Sequence, residues 1–385
     1  MNNVFIVASA SISAIGEQKD CQYIVDNPEN MSTVEIPAEN KSAFYFPINK
    51  NRLHKTFDEM ISLLSSQIEV VIQQANLTSE ELAQTVLFLG STSLDIACVE
   101  PDENKSIWLS QTDRISQKLA SLFGLHKIHY TFNTACTSSA NAVLYATQFI
   151  KHNKIKHALV VGCEFFNQLS INGFDSLDLF SNSGVRPFSN TRDGLLLGEG
   201  VGVLMLSSMP KSSTIFEVLG GYSSCDDFSL TITDENGDHI VEVVEKALAN
   251  GNINKSDIDL IKIHGTASQM SDLAECNAIT RLFKLLDNAP EILGFKSFLG
   301  HTLGACGVLE LALLEHLFQQ EVLPECTYQK QEKNDLLHPF ISSAQKMMLS
   351  EHILLNHFGF GGNNAAVILK NIKLTSNKRL IRDEL

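Results

Sequence analysis

One cysteine, two histidines and a glycine-rich turn hold the chemistry this sequence could perform. Cys136 lies in Asn133-Thr134-Ala135-Cys136-Thr137-Ser138-Ser139-Ala140, after the β-prone Tyr130-Thr131-Phe132 and before a run of small residues that opens a helix. A thiol at a helix start meets unpaired backbone N–H groups and the positive end of the helix dipole, which draw its pKa down toward the thiolate. The small neighbours leave room for a substrate to approach. A buried packing cysteine fits the same local context equally well, and packing is the reading for Cys163 and Cys306. His264 closes the apolar run 258–263 just before Gly265-Thr266, the position where α/β folds place functional groups. His301 stands in Gly300-His301-Thr302-Leu303-Gly304-Ala305, again ahead of a helix. Either histidine alone is more often a hydrogen-bonded structural residue. Two such sites together with a helix-start cysteine in a duplicated chain are jointly much less readily accidental.

The remaining pattern is Asn356-His357-Phe358-Gly359-Phe360-Gly361-Gly362-Asn363-Asn364. Its spacing is not GxGxxG, and a strand rather than a helix follows, so a dinucleotide or phosphate loop is excluded. A turn that presents backbone N–H groups to a developing oxyanion fits better, with a plain tight turn as the alternative.

Bulk properties narrow the setting. A net charge of −15 over 385 residues, with no basic stripe, argues against a general nucleic-acid binder. Eight irregularly spaced cysteines, without a CxxC pair or zinc-site spacing, predict reduced thiols, a cytoplasmic protein and no metal. The apolar stretch 4–10 ends in Ala8-Ser9-Ala10 but lacks a basic flank, so it is not read as a signal peptide. No run reaches the length of a membrane span.

Short apolar runs at 4–7, 86–90, 158–162, 201–206, 258–264 and 365–369 read as buried strands. Helical stretches such as 56–75 and 138–151 alternate with them, which predicts an α/β architecture. The chain is also loosely duplicated. The cysteine motif precedes an apolar helix and, about sixty residues on, the turn-strand Gly198-Glu199-Gly200-Val201-Gly202. The His301 motif precedes a second apolar helix and then Gly361-Gly362-Asn363-Asn364-Ala365. The starts also match, Val4-Phe5-Ile6-Val7 with Ile215-Phe216-Glu217-Val218. This predicts halves at 1–213 and 214–385 sharing one site, with the extra length of the first half in 17–80 and 92–128. Residues 27–42 read as a polar loop and the tail after Lys373 as frayed.

Taken together, these residues resemble the β-ketoacyl-acyl-carrier-protein synthase family, of the elongating kind found in fatty acid and type II polyketide synthesis. The resemblance rests on Thr134-Ala135-Cys136-Thr137-Ser138-Ser139-Ala140, Arg192-Asp193-Gly194 with Leu197-Gly198-Glu199-Gly200, and His264-Gly265-Thr266-Ala267-Ser268 with Asp272 and Glu275. It rests also on Lys296-Ser297 with Gly300-His301 and on Phe358-Gly359-Phe360-Gly361-Gly362-Asn363. It implies a thiolase fold, a duplicated five-layered α/β/α/β/α arrangement, usually dimeric. It implies that Cys136 carries the growing acyl chain and that His264 and His301 stabilise the enolate formed when a malonyl unit loses CO2. Lys296 and Glu310 match a structural ion pair, Phe360 and Gly361 an oxyanion and gating turn, and Thr231, Thr266 and Ser268 pantetheine contacts. No cofactor is implied beyond the phosphopantetheine of an acyl carrier protein, which is the expected partner. Because carrier proteins are acidic, Arg52, Lys55 and Arg192 are the candidate docking residues. The Asn172–Leu177 stretch and the short loop 232–237 resemble ketosynthases of aryl polyene pigment clusters, where a heterodimer with a chain-length factor replaces the homodimer. The rival readings are that chain-length factor itself and a thiolase-like enzyme using coenzyme A; the second histidine and Lys296/Glu310 stand against the latter.

Overall fold

The structure is a computed structural model and describes residues 1–18, 27–36, 41–100, 113–231, 233–286, 288–331 and 336–374. The predicted buried strands form two five-stranded halves of one sheet system. In the first half β5 (Val86–Gly90) is flanked by parallel β6 (His129–Phe132) and β7 (His157–Glu164), then β9 (Gly200–Ser207) and β1 (Phe5–Ser13) continue antiparallel. The second half repeats this order. There β11 (Ile258–Lys262) lies between parallel β12 (Glu291–Leu293) and β13 (His352–Gly359), and β14 (Asn363–Asn371) and β10 (Phe216–Cys225) follow antiparallel. The halves meet where β1 pairs with β10 at Phe5 and Glu217, and the two-residue β2 (Gly16–Glu17) turns back on β1.

Period-two alternation sorts the strand side chains into layers. Ile6, Phe88 and Val160 face inward onto the central core, whereas Phe5, Leu87, Leu89 and Val161 face an outer core under α1 (Phe57–Ala75) and α2 (Arg114–Leu122). The central core holds α3 (Ser138–Lys151) and α6 (Cys306–Gln320), both apolar on nearly every face and therefore buried between sheets. On the far side α4 (Asp238–Gly251) and α5 (Gln269–Phe283) cover the second half with Ile240, Val244, Ile279 and Phe283. The result is helix, sheet, helix, sheet, helix. The apolar stretch at 4–10 is a central strand in it.

The two middle helices touch through backbone. A Cβ on Gly307 would lie 2.3 Å from the Ala140 nitrogen, and one on Gly90 would lie 2.4 Å from the Ser139 Cα. This brings the starts of α3 and α6, hence the cysteine and His301 motifs, side by side. The polar reading of 27–42 is corrected: β3 (Ser32–Ile36) and β4 (Lys41–Phe46) pair antiparallel, and β8 (Leu197–Gly198) joins them. The reason is local alternation, because Val34 and Ile36 turn inward against Tyr45, Ile171 and Cys136. Most of the tail after Lys373 lies outside the described residues, as does Ile232 of the shortened loop. No described helix is long and apolar enough to cross a membrane.

Candidate active site

Cys136 sits in a tight turn before α3, with the Thr137 and Ser138 N–H groups bonded back to the Thr134 and Ala135 carbonyls. Ala135 is held left-handed at φ 51°, as are Ala267 at 69° and Leu303 at 41°, beside the His264 and His301 motifs. Such backbone costs a non-glycine residue roughly 1–2 kcal/mol, and it persists here because packed helix starts overdetermine it. Three turns from both halves thereby aim three side chains into one cavity.

The cavity has a volume of about 330 Å³ and is lined by Cys136, His264, His301, Thr231, Thr266, Ser268 and Phe360, among others. The Nε2 of His301 is 3.1 Å from the Cys136 Sγ, and the His264 ring stands edge-on to His301 with centroids 5.2 Å apart. Both histidines are buried, and the Nδ1 of each makes no hydrogen bond among the described residues. A buried lone pair without a partner is cheaper than a buried N–H without one. The accounting therefore assigns the proton to Nε2, making both rings donors toward the cavity.

Beneath the histidines lies an ion triad. Glu310 accepts from Lys262 at 2.6 Å and from Lys296 at 2.8 Å, all three side chains being fully buried, and Lys262 also donates to the Asn356 carbonyl at 2.9 Å. Burial opposes the Glu310 charge, but the two ammonium groups outweigh it and hold the carboxyl below its usual range. Burial also lowers His264 and His301 well below the usual imidazole value, and the field of Lys296 and Lys262 adds to it. The rings are neutral donors at physiological pH. Glu275 fixes the His264 turn by accepting from the His264 and Gly265 N–H groups, each at 2.9 Å.

The expectation for Cys136 is corrected in sign. Burial pushes the thiol up, with Cys306 and Glu164 adding to the rise, while Lys296 and the Phe360 N–H pull it down. At this depth the desolvation of a 5% exposed sulfur outweighs the helix start. The Phe360 N–H nonetheless points at the sulfur, and a Cβ on Gly359 would lie 2.9 Å from the Cys136 nitrogen, so the turn closes directly over the thiol. Phe360 stacks on Phe174, centroids 5.3 Å apart. Gly361, at φ 73°, is not on the cavity wall; its N–H bonds the Leu230 carbonyl at 2.8 Å and shapes the turn from behind.

Comparison with known proteins identifies the family. The N-terminal domain of the β-ketoacyl synthase family matches residues 18–212, and its C-terminal domain matches residues 215–329. The chain belongs to the β-ketoacyl synthase family. It is 29% identical over 272 residues to the putative mitochondrial 3-oxoacyl-[acyl-carrier-protein] synthase of Schizosaccharomyces pombe, covering 66% of this chain and 63% of that one. To the chloroplastic 3-oxoacyl-[acyl-carrier-protein] synthase II of Arabidopsis thaliana it is 28% identical over 277 residues, 68% of this chain and 51% of that protein. The match thus spans between about half and just under two thirds of these relatives. Among solved structures it resembles the ketosynthase ApeO in complex with its chain length factor ApeC from Xenorhabdus doucetiae, at 22% identity and TM-score 0.77, covering 96% of this chain and 98% of that one. A similar likeness holds to the ishigamide ketosynthase/chain length factor, at 22% identity and TM-score 0.74, covering 96% and 99%. The fold is the thiolase fold of ketosynthases.

Against that family background two of the sequence readings change. Lys55 is no docking residue: it is buried and paired with the buried Glu199, which also accepts from the Phe166 and Ile48 N–H groups. A carboxylate enclosed at that depth requires a cation, and Lys55 supplies it. Arg52 is exposed and paired with Glu59, away from the cavity wall, and Arg192 is half-buried, donating to the Ser189 and Gln269 carbonyls at 2.9 Å each. Cys306 is not simply packing, since its Sγ lies 3.2 Å from the Cys136 carbonyl and 3.6 Å from the His357 Nδ1. Sequence reasoning also missed Lys262. Its signal was a lysine inside the apolar run Ile258-Asp259-Leu260-Ile261-Lys262-Ile263, a buried charge that a strand tolerates only with a partner.

Proposed function

We propose that this chain is a β-ketoacyl-acyl-carrier-protein synthase, an acyltransferase that condenses an acyl thioester held on Cys136 with malonyl-carrier protein, with loss of CO2. The observation that carries this reading is the His301 Nε2 at 3.1 Å from the Cys136 sulfur with His264 beside it in the same cavity. In the loading step the Cys136 sulfur attacks the acyl-pantetheine carbonyl. The N–H groups of Cys136 and Phe360 receive the oxyanion, and collapse expels the pantetheine thiol, which leaves with the proton the cysteine gave up. Malonyl-carrier protein then enters along Thr231, Thr266 and Ser268, and its thioester carbonyl takes the Nε2–H groups of His264 and His301. The C–C bond to the carboxylate breaks, CO2 departs, and its electron pair becomes the enolate those donors stabilise. The enolate carbon attacks the acyl-Cys136 carbonyl, and the cysteine leaves and is reprotonated.

Neutral histidines with the proton on Nε2 suit this step, since each can donate to the enolate oxygen without a buried charge having to be held beforehand. Lys296, Glu310 and Lys262 hold them so. Phe360 and Gly361 form the gating turn, and Cys136 from the half 1–213 meets both histidines from the half 214–385. No cofactor enters beyond the carrier's phosphopantetheine. The free thiols of Cys136 and Cys306 suit a reducing cytoplasm. The pathway is fatty acid or type II polyketide synthesis, and the 172–177 and 232–237 patterns favour the aryl polyene kind. There the chain would be the cysteine-bearing member of a pair with a chain-length factor, and elsewhere a homodimer. Incubation with malonyl- and acyl-carrier protein should yield a β-ketoacyl product two carbons longer by mass. Malonyl decarboxylation without condensation would overturn the reading in favour of a chain-length factor.

A further inference from the structure

Helix α6 begins at Cys306, beside the Cys136 carbonyl, and its other end closes a second cavity of about 250 Å³. β1 pairs with β10 only at Phe5 and Glu217, so beyond that point this edge of β1 is open. Five carboxamides line the gap: Gln18, Gln67 and Gln74, with Gln319 and Gln320 from the last turn of α6. Glutamine is seldom buried, yet Gln67 is 2% exposed and Gln18 6%. Their hydrogen bonds run one way. Ser11 donates to the Gln18 Oε1 at 3.1 Å, the Gln18 Nε2 donates to the Ser9 hydroxyl at 3.2 Å, and Ser9 donates to the Glu315 carboxyl. Ser9 is on the wall, so Glu315 stands one hydroxyl behind it.

Two acceptors there stay open. Ser66 gives its proton to the Leu63 carbonyl at 2.9 Å, so toward Gln67 it can only accept, from the amide nitrogen at 3.2 Å. That fixes the amide orientation and leaves the Gln67 Oε1, on the cavity wall, without a hydrogen bond among the described residues. The Glu315 Oε2 is also buried without a partner. Burial raises that carboxyl to about 7, with only the Ser9 hydroxyl opposing the rise. The balance of charge is negative. The wall holds Glu17 and His316 and no lysine or arginine. Lys211 lies nearby and keeps its charge, bonded to the Gln74 and Ala75 carbonyls at the end of α1, and it offsets Glu17. Glu315 is left over, and α6 adds the negative end of its dipole, with no basic residue in its last turn.

We propose that this cavity binds the primary ammonium group of a small aliphatic molecule. The Gln67 Oε1 and the side-chain oxygens of Gln319 and Gln320 accept its N–H groups, and Glu315 balances its charge from behind the wall. The surplus of negative charge excludes phosphates and carboxylates. An alkali-metal ion needs oxygens on every side, whereas Ala10 and Val70 give this cavity an apolar side that fits an alkyl chain. The site is independent of the chemistry at Cys136.

Thermal unfolding of the full chain at neutral pH tests this, in ethylammonium chloride against potassium chloride and choline chloride at equal ionic strength. Ethylammonium should raise the midpoint by a few degrees, whereas potassium and choline, neither of which has an N–H group, should not. Isothermal titration should give a single site per chain. Glu315→Gln should weaken ethylammonium binding about tenfold in a chain that still folds, because an uncompensated buried carboxylate is itself costly. Gln319→Lys, at an exposed position, should fill the site with its own ammonium, raise the midpoint of the unliganded chain and abolish the response to the amine. A response to potassium or choline as large as that to ethylammonium would overturn the proposal. So would ethylammonium binding that Gln319→Lys leaves unchanged, whatever the fate of Glu315→Gln.

Discussion

Replacing Glu310 by Gln should damage the protein far more than replacing Lys262 by Met, although both changes remove one member of the same triad. With two lysines on one glutamate, the triad holds a net charge of +1 at full burial. Glu310→Gln removes the only carboxylate and leaves two buried ammonium groups facing each other. Breaking a buried pair from one side costs about 3–5 kcal/mol, and mutual repulsion adds to that. Lys262→Met instead leaves the Lys296–Glu310 pair at 2.8 Å intact and makes the cluster neutral. Its cost is the Asn356 carbonyl left without its donor, about 1–3 kcal/mol, offset in part by relief from the second ammonium. Urea unfolding at neutral pH, read as the change in midpoint at constant slope, measures both. The expected gap is about 2 kcal/mol, with Glu310→Gln the weaker protein. Equal losses, or a Lys262→Met variant less stable than Glu310→Gln, would refute the assignment of Glu310 as the hub.

The same field sets a pH dependence. Lys262 and Lys296 help hold His301 below its usual value, so Lys262→Met should raise the His301 pKa and move the acid limb of condensation to higher pH; an unchanged or lowered limb counts against the field. The sign for stability follows the same way, because a depressed imidazole stabilises above its unfolded value near 6.5 and loses that contribution as pH falls. Phe174→Ala should free the Phe360 ring from a stack of about 0.5–1.5 kcal/mol and speed iodoacetamide alkylation of Cys136 several-fold, whereas an unchanged rate would show that the stack does not close the turn. Gly307→Ala should cost about 3 kcal/mol or more in thermal or urea unfolding, since the new carbon meets the Ala140 backbone at 2.3 Å.

How much of this is legible in the sequence depends on whether the signal is local. The runs at 86–90, 158–162 and 201–206 are apolar throughout, because strands covered on both faces need no alternation, and they read as strands without ambiguity. Cys136 and His301 are visible through the duplicated helix starts, and the Gly307–Ala140 contact is the physical reason the duplication matters. The hairpin at β3 and β4 is not legible, since its polar residues outnumber Val34 and Ile36 and its burial comes from Cys136 and Ile171, far along the chain. Lys55 illustrates the same limit. In the sequence it belongs to a basic cluster, and only the fold brings the buried Glu199 against it. The pKa of Cys136 fails for a related reason: a helix start is a local feature, but the depth of the pocket is set by both halves.

The account turns on Cys136 as the atom that holds the acyl chain. Intact-protein mass spectrometry after mixing with an acyl-carrier protein, followed by peptide mapping, reads this directly. The wild-type chain should gain one acyl group on the peptide containing Cys136, lost on treatment with hydroxylamine, and Cys136→Ala should gain none. An acyl group found on Cys306 or elsewhere, or acylation and condensation that survive Cys136→Ala, would contradict it.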